Sequence, residues 1–314
     1  AGAGAEALLA AAKLLATTKP GAAEAGAEEG VEEAAEAVLG DRRLAELRAA
    51  MAASDEWSRL TPSAAAFGCD AVLHDYLEAS RGYVAKALQL MLASTRWREA
   101  RGLDSPELPR CACRDDVPLH CCFSIGKDQR GWEVIYSCPG RSRSKDPDPC
   151  LRHLWLVIEA ALRRTPLPGK VVLLVDLHGF GMRDMNPVTG TRFVPAMLAH
   201  HPGRVAQFAL LAPPAVFKLI YQMLAPLCPP AVLARVKMLR GGAVDAYCDA
   251  HLTPKQKEFV EITLKLPPRP GSLPPLTSTL IPEGDPMAGL AFGADAPSGR
   301  ADDERGSSVA AAAS

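Results

Sequence analysis

The run Val171-Val172-Leu173-Leu174-Val175 constrains the fold of this chain more than any other feature. Consecutive apolar, largely β-branched residues make a strand buried on both faces, and such strands belong to parallel sheets covered by helices. The flanking sequence agrees. Leu151 to Arg163 has helical character and is closed by Pro166 and Gly169, and Thr191 to His201 is a further helix ended by Pro202-Gly203. Val205 to Leu211 reads as the next strand. Pro213-Pro214 leads into a helix over Ala215 to Leu224, and Val236 to Leu239 is a last short strand. Upstream, Lys127-Asp128-Gln129-Arg130-Gly131 is a tight turn before a strand over Trp132 to Tyr136. Strands alternating with helices predict βαβ units, an α/β fold with a mostly parallel sheet flanked by helices.

A helical preface precedes the sheet. Val84, Leu88, Met91, Leu92 and Thr95 fall on one face of a helix, an earlier helix runs through Ala71 to Glu78, and Gly82 lies near the turn between them. Residues 1–40 hold 15 Ala, 7 Glu and 6 Gly, and no aromatic residue occurs before Trp57. Residues 267–314 carry 8 Pro and 6 Gly, with Phe292 the only aromatic. Neither end buries enough apolar surface to offset chain entropy. The expected division is a low-complexity tail over 1–40, a helical subdomain over 41–104, an α/β domain over 105–266 and a disordered tail over 267–314.

Several functional classes fall away. No stretch of uncharged apolar residues is long enough for a membrane-spanning helix. With 35 basic and 36 acidic side chains, the surplus of positive charge that marks a nucleic-acid binder is missing. The nine cysteines are odd in number and follow no secretory signal, which points to reduced thiols in a cytoplasmic protein. Cys111-Ala112-Cys113 and Cys121-Cys122, with His120 alongside, match none of the usual structural zinc spacings, so ordinary thiols and no metal are expected. His74, His153, His178, His200, His201 and His251 are scattered and read as structural.

Asp176-Leu177-His178-Gly179-Phe180-Gly181, at the end of the key strand, invites three catalytic readings. A dinucleotide fingerprint lacks its third glycine, because Asp184 stands there, and no phosphate loop exists to serve a nucleotide hydrolase. An oxyanion-hole turn at His178-Gly179 would need a nucleophile elbow downstream. The serines after Gly181 all lie in the tail, and neither Cys228 nor Cys248 has flanking glycines. No catalytic residue and no cofactor is therefore assigned, and Asp176 is expected to hydrogen-bond local backbone. The helix Ala215 to Leu224 has only Lys218 and Gln222 as strongly polar positions. It is either a core helix or a lid whose second face covers a lipid-sized cavity, with the prolines on both sides as stiff ends.

The order of motifs resembles the CRAL-TRIO lipid-binding family with its N-terminal helical subdomain. Tyr76 to Ala87 is similar to its "FLRARKFDVEKA" hairpin, and Thr95-Arg96-Trp97-Arg98 to the "xxWR" that follows. Gly126 to Tyr136 is similar to "GxDxxGRPVxx", and Val175-Asp176-Leu177-His178-Gly179 to "xDLxG". His201-Pro202-Gly203-Arg204 stands at "YPER", Leu211-Ala212-Pro213 at "NAP", and Phe217 with Pro226-Leu227 at the spaced "F…kPfL" of the gate helix. The resemblance implies a helical subdomain on an α/β domain whose sheet floors a hydrophobic cavity under a gating helix. Candidates to line that cavity are Phe180, Phe193, Leu210, Phe217, Ile220, Met223 and Leu224, with ordinary core as the competing reading.

Of the three positions where phosphoinositide-binding members carry headgroup residues, Ser80 and Gly203 lack the charge and Arg235 keeps it. Arg141, Arg143 and Lys145 form a basic loop, read as solvated. The implied function is the binding of one lipid or other lipophilic molecule and its transfer or presentation at membranes. Membrane contact would be transient, no nucleic acid would take part, and the site of action would be cytoplasmic and peripheral to membranes. The competing class is a protein-interaction module that keeps the fold without the ligand. A divergent hydrolase is the remote third.

Overall fold

Right-handed crossovers decide the layering of this molecule. The computed structural model describes residues 39–60, 62, 64–111, 116–184 and 186–274. Most of the two sequence tails, 1–38 and 275–314, lies outside the described residues. Helices come first: α1 over 39–52, α2 (Asp55–Arg59), α3 (Ala64–Phe67), α4 (Asp70–Ala79) and α5 (Val84–Glu99). Leu47, Phe67, Tyr76 and Met91 are buried at their centre. The turn between α4 and α5 is closed by the Gly82 amide, which donates to the Leu77 carbonyl at 2.7 Å with Gly82 at φ +76°. A side chain there would collide with the Arg43 guanidinium.

The body follows as β1 (Cys122–Lys127), β2 (Glu133–Ser137), α6 (Pro147–Arg163), β3 (Val171–Asp176), α7 (Pro187–His200), β4 (Val205–Leu211), α8 (Phe217–Leu224), α9 (Pro230–Leu233), β5 (Val236–Leu239), α10 (Gly242–His251) and α11 (Pro254–Lys265). The sheet order is β1-β2-β3-β4-β5, with β1 antiparallel to β2 and every other pair parallel. Because the order never reverses, right-handed crossovers deliver every connecting helix to the same face. Side-chain parity shows this. Ile135, Leu173 and Phe208 point towards α6 and α7, whereas Tyr136, Leu174 and Leu211 point towards Tyr247 of α10 and Phe259 of α11.

The strands over 171–175, 205–211 and 236–239 lie where the sequence places them, the first extending by one residue to Asp176. Helices α6 and α7 each begin four residues earlier than expected. In both, an Asp or Asn cap is followed by proline at the first helical position: Asp146 accepts from the Asp148 amide, and Asn186 from the Val188 amide. Strand β1 and helices α10 and α11 have no counterpart in the sequence reading. Residues 267–274, expected to belong to a free tail, are packed instead. Arg141 is the cause: its fully buried guanidinium donates to the carbonyls of Thr263 (2.6 Å), Pro267 (2.9 Å) and Ser272 (3.0 Å), and Pro268 presses on Gly179. Arg141 is thus a clamp rather than part of a solvated loop.

The helical subdomain docks through the motif Ser94 to Arg98. Ser94 Oγ donates to the Ala199 carbonyl at 3.0 Å and lies 3.0 Å from His200 Nδ1, and Trp97 stacks on the His200 ring at 4.4 Å. Burial, helped by the charges of Arg101 and Arg98, pulls the His200 pKa down to about 4. A histidine depressed in the folded state contributes stability above its unfolded pKa of ~6.5 and loses it as pH falls towards 4. After discounting for partial exposure this amounts to ~2 kcal/mol. Denaturant unfolding at about pH 7 and pH 4.5 should therefore show a smaller acid penalty in His200→Gln than in the parent. Equal penalties would remove His200 from the acid response.

Candidate functional site

A wholly apolar cavity of about 120 Å³ lies between the β4–β5 edge of the sheet and helix α8. Phe208 and Leu210 of β4 and Val236 of β5 form its floor, Phe193 of α7 a wall, and Phe217, Tyr221 and Leu224 of α8 its roof. Cys228, Val232 and Leu233 close the far end. No charged side chain lines it, and burial pushes the Cys228 thiol up from its ordinary pKa, which keeps that group neutral. The placement follows from the topology. A sheet without a reversal of strand order has no switch-point crevice at its strand ends, and this hollow lies instead on the face, beneath the last crossover.

Helix α8 has no fully buried residue. Phe217, Ile220, Tyr221 and Leu224 recur at helical spacing and face inward. The opposite ridge is apolar as well: Leu219, Met223 and Leu227, four residues apart, are 59%, 41% and 43% exposed. Leu224 comes down over α7 at Gly190, where an added Cβ would meet the Leu224 side chain at 2.9 Å. The lid therefore rests on side-chain contacts and a glycine notch. It continues into a short 3₁₀ turn, Ala225–Leu227, before Pro229 and Pro230.

The structure brings together four of the expected lining residues: Phe193, Leu210, Phe217 and Leu224. Phe180 and Ile220 belong to the adjoining cluster with Leu177 and Leu210, where the Phe180 and Phe217 rings meet edge-on at 6.3 Å. Met223 lies on the outer ridge with Leu219 and does not line the cavity, because it is turned about 100° round the helix from the centre of the inward stripe. Arg235 stands outside the cavity, its Nη1 donating to the Val205 carbonyl at 3.1 Å. Phe208 and Val236 were missed, although Phe208 shares the face of Leu210 by strand alternation. Asp75 lies within electrostatic reach of Arg235, Lys170 and Arg204. Burial raises the Asp75 pKa, and the three cations oppose that rise. Ser80 is buried, and Gly203 has the Asp75 carboxylate where a side chain would stand.

Asp176 behaves as a structural acceptor. Its oxygens take the His178 amide at 2.8 Å and the Tyr136 hydroxyl at 2.7 Å, with Arg141 Nε at 3.6 Å. Away from the cavity, the cysteine-bearing segment before β1 brings Cys111 and His120 against His153 of α6, all three donor atoms lying within 4.8 Å of one another. No helix among the described residues is long and apolar enough to cross a membrane, and no disulfide joins two of them.

Residues 119–258 match the model of the CRAL/TRIO domain. That stretch holds all five strands, the lid and the cavity floor. Among solved structures 38 chains match. One of them is the crystal structure of Sfh5, with 13% identity, a TM-score of 0.48, and coverage of 57% of this chain and 67% of that one. No curated protein matches in sequence.

Proposed function

We propose that this chain, whose residues 119–258 match the CRAL/TRIO domain, carries one lipophilic molecule beneath α8 and exchanges it at membrane surfaces in the cytoplasm. The observation that carries this reading is the pairing of an all-apolar cavity with a lid apolar on both sides. The inner stripe shields the guest from water. The outer ridge of Leu219, Met223 and Leu227 offers the lid a second resting place in the interfacial layer of a bilayer. The cavity as it stands is smaller than the ~150 Å³ that admits benzene, so a lipid enters only when α8 swings outward. Enclosing several hundred Å² of acyl or isoprenoid surface at ~25 cal/mol per Å² then offers many kcal/mol before the costs of association. The reading involves no catalysis.

The decisive experiment purifies the full chain, extracts it with organic solvent and identifies bound small molecules by mass spectrometry, before and after incubation with mixed-lipid vesicles. A stoichiometric lipid supports the carrier. An extract empty in both cases sinks it and favours the protein-interaction module, to which the small volume of the cavity already lends support. Replacing Leu219 and Met223 together by serine should slow vesicle-to-vesicle transfer about tenfold while leaving equilibrium binding intact, given ~1.4 kcal/mol per decade and the apolar surface removed. Transfer at the parent rate would show that the outer ridge does not meet the membrane.

A further inference from the structure

We propose a zinc site, separate from the cavity, made by Cys111, His120 and His153 where the segment leaving the helical subdomain meets α6. Three independent observations converge there. First, the geometry is nearly that of a tetrahedral site. Cys111 Sγ and His120 Nδ1 are 3.4 Å apart, and zinc bonds of ~2.3 Å to sulfur and ~2.0 Å to nitrogen place such a pair at ~3.5 Å. His153 supplies the third donor within 4.8 Å of the other two.

Second, the ring of His153 is already oriented as a metal ligand. It is fully buried on α6, and its Nε2 lies 2.6 Å from the Cys122 carbonyl. A carbonyl only accepts, so the proton sits on Nε2 and Nδ1 carries the lone pair that a metal requires. A backbone carbonyl fixing the tautomer of a ligating histidine is the usual outer-shell support of a zinc ion. Third, His120 is underused by the protein alone. It is buried, Nδ1 has only a thiol for company, and Nε2 has no hydrogen-bond partner. Burying an imidazole so poorly partnered costs free energy, and coordination would replace a weak S···N contact with two strong bonds.

The donor set decides the ion. One thiolate and two neutral imidazoles suit a borderline-soft cation and disfavour magnesium or calcium. Cys150, one turn before His153 on α6 and close enough to Cys111 to interact electrostatically, is placed for the fourth position if water does not take it. Cys111 is only half-buried, which leaves the ion an access path. The role would be to pin the segment before β1 to α6. No spacing rule could disclose the site, because its third ligand comes from a helix two strands later in the chain.

The test uses the full chain, reduced and freed of metal with a chelator, titrated with Co²⁺ and then challenged with Zn²⁺. The expected result is one bound cobalt per chain, with a thiolate-to-cobalt charge-transfer band and the strong visible bands of a tetrahedral ion, all bleached by one equivalent of zinc. Cys111→Ser should weaken the charge-transfer band and lower affinity by at least about tenfold, and Cys111→Ser/Cys150→Ser should abolish the band. Cys228→Ser, in the cavity wall, should change neither. Cys111 is only half-buried, so its variant remains informative even if His153→Ala does not fold. Absence of the band in the parent protein, or an undiminished band and affinity in Cys111→Ser, overturns the assignment.

Discussion

Truncating Glu159 to alanine is expected to cost this protein ~3–5 kcal/mol, the effect of stranding a buried charge. Arg98 of α5 and Glu159 of α6 are both almost fully buried and pair through two bonds of 2.6 and 3.0 Å, with Asp104 accepting from Arg98 Nε at 2.9 Å. Burial alone would lower the Arg98 pKa, but Glu159 and Asp104 more than offset it and hold the guanidinium charged. Without Glu159 that charge keeps Asp104 as counter-charge and the Leu103 carbonyl at 3.5 Å, at the seam that docks the helical subdomain on the body. A fall in Tm of about 10 °C in thermal unfolding would match the size of the loss. The double variant Arg98→Met/Glu159→Leu should recover most of it, since an apolar pair needs no compensation for desolvation. A loss below ~1 kcal/mol in the single variant would mean that water reaches the pair.

Leu224→Glu should lower affinity for an apolar ligand by more than about tenfold with little change in fold. The side chain lines the cavity roof but belongs to a helix with no fully buried residue, so the folded core does not depend on it. Forfeiting the burial of one leucine costs ~1.5–3 kcal/mol, and a carboxylate facing the guest adds a desolvation penalty. Each ~1.4 kcal/mol is a decade in Kd. Titration with a fluorescent fatty-acyl probe, beside a circular-dichroism check of fold, separates the two effects. Undiminished binding in a folded Leu224→Glu protein would move the ligand away from α8.

What the residues disclosed, and what they hid, follows from how locally each element is specified. Val171 to Val175 needs no partner to be recognised as a buried strand, and the proline-flanked apolar run at 215–224 announces an unusual helix. Strand β1 is hidden because its centre is polar. Ser124 is fully buried only because its hydroxyl donates to Glu133 at 2.7 Å, a partner visible only once β2 is paired. Helix α11 is held by a capping box at Thr253 and Gln256, a signal that was present and passed over. Four cavity residues were legible from the apolar pattern. Met223 was misplaced because a helix apolar all round does not say which ridge turns inward. The buried roles of Arg141 and His153 depend on contacts more than a hundred and some thirty residues away, respectively, beyond any local pattern.

The unbroken strand order also governs how the chain comes together. Each strand pairs only with its neighbours in sequence, so the topology allows the sheet to be extended one unit at a time, with loop-closure costs met in small steps. Every crossover helix covers the same face as it forms. The other face, with Phe123, Tyr136, Leu174 and Leu211, stays bare until α10 and α11 arrive. During synthesis from the N-terminus this half-covered sheet is the species most exposed to aggregation. The last segment to close it is also the one that Arg141 grips, so the latch that ends assembly forms only after the whole sheet is in place.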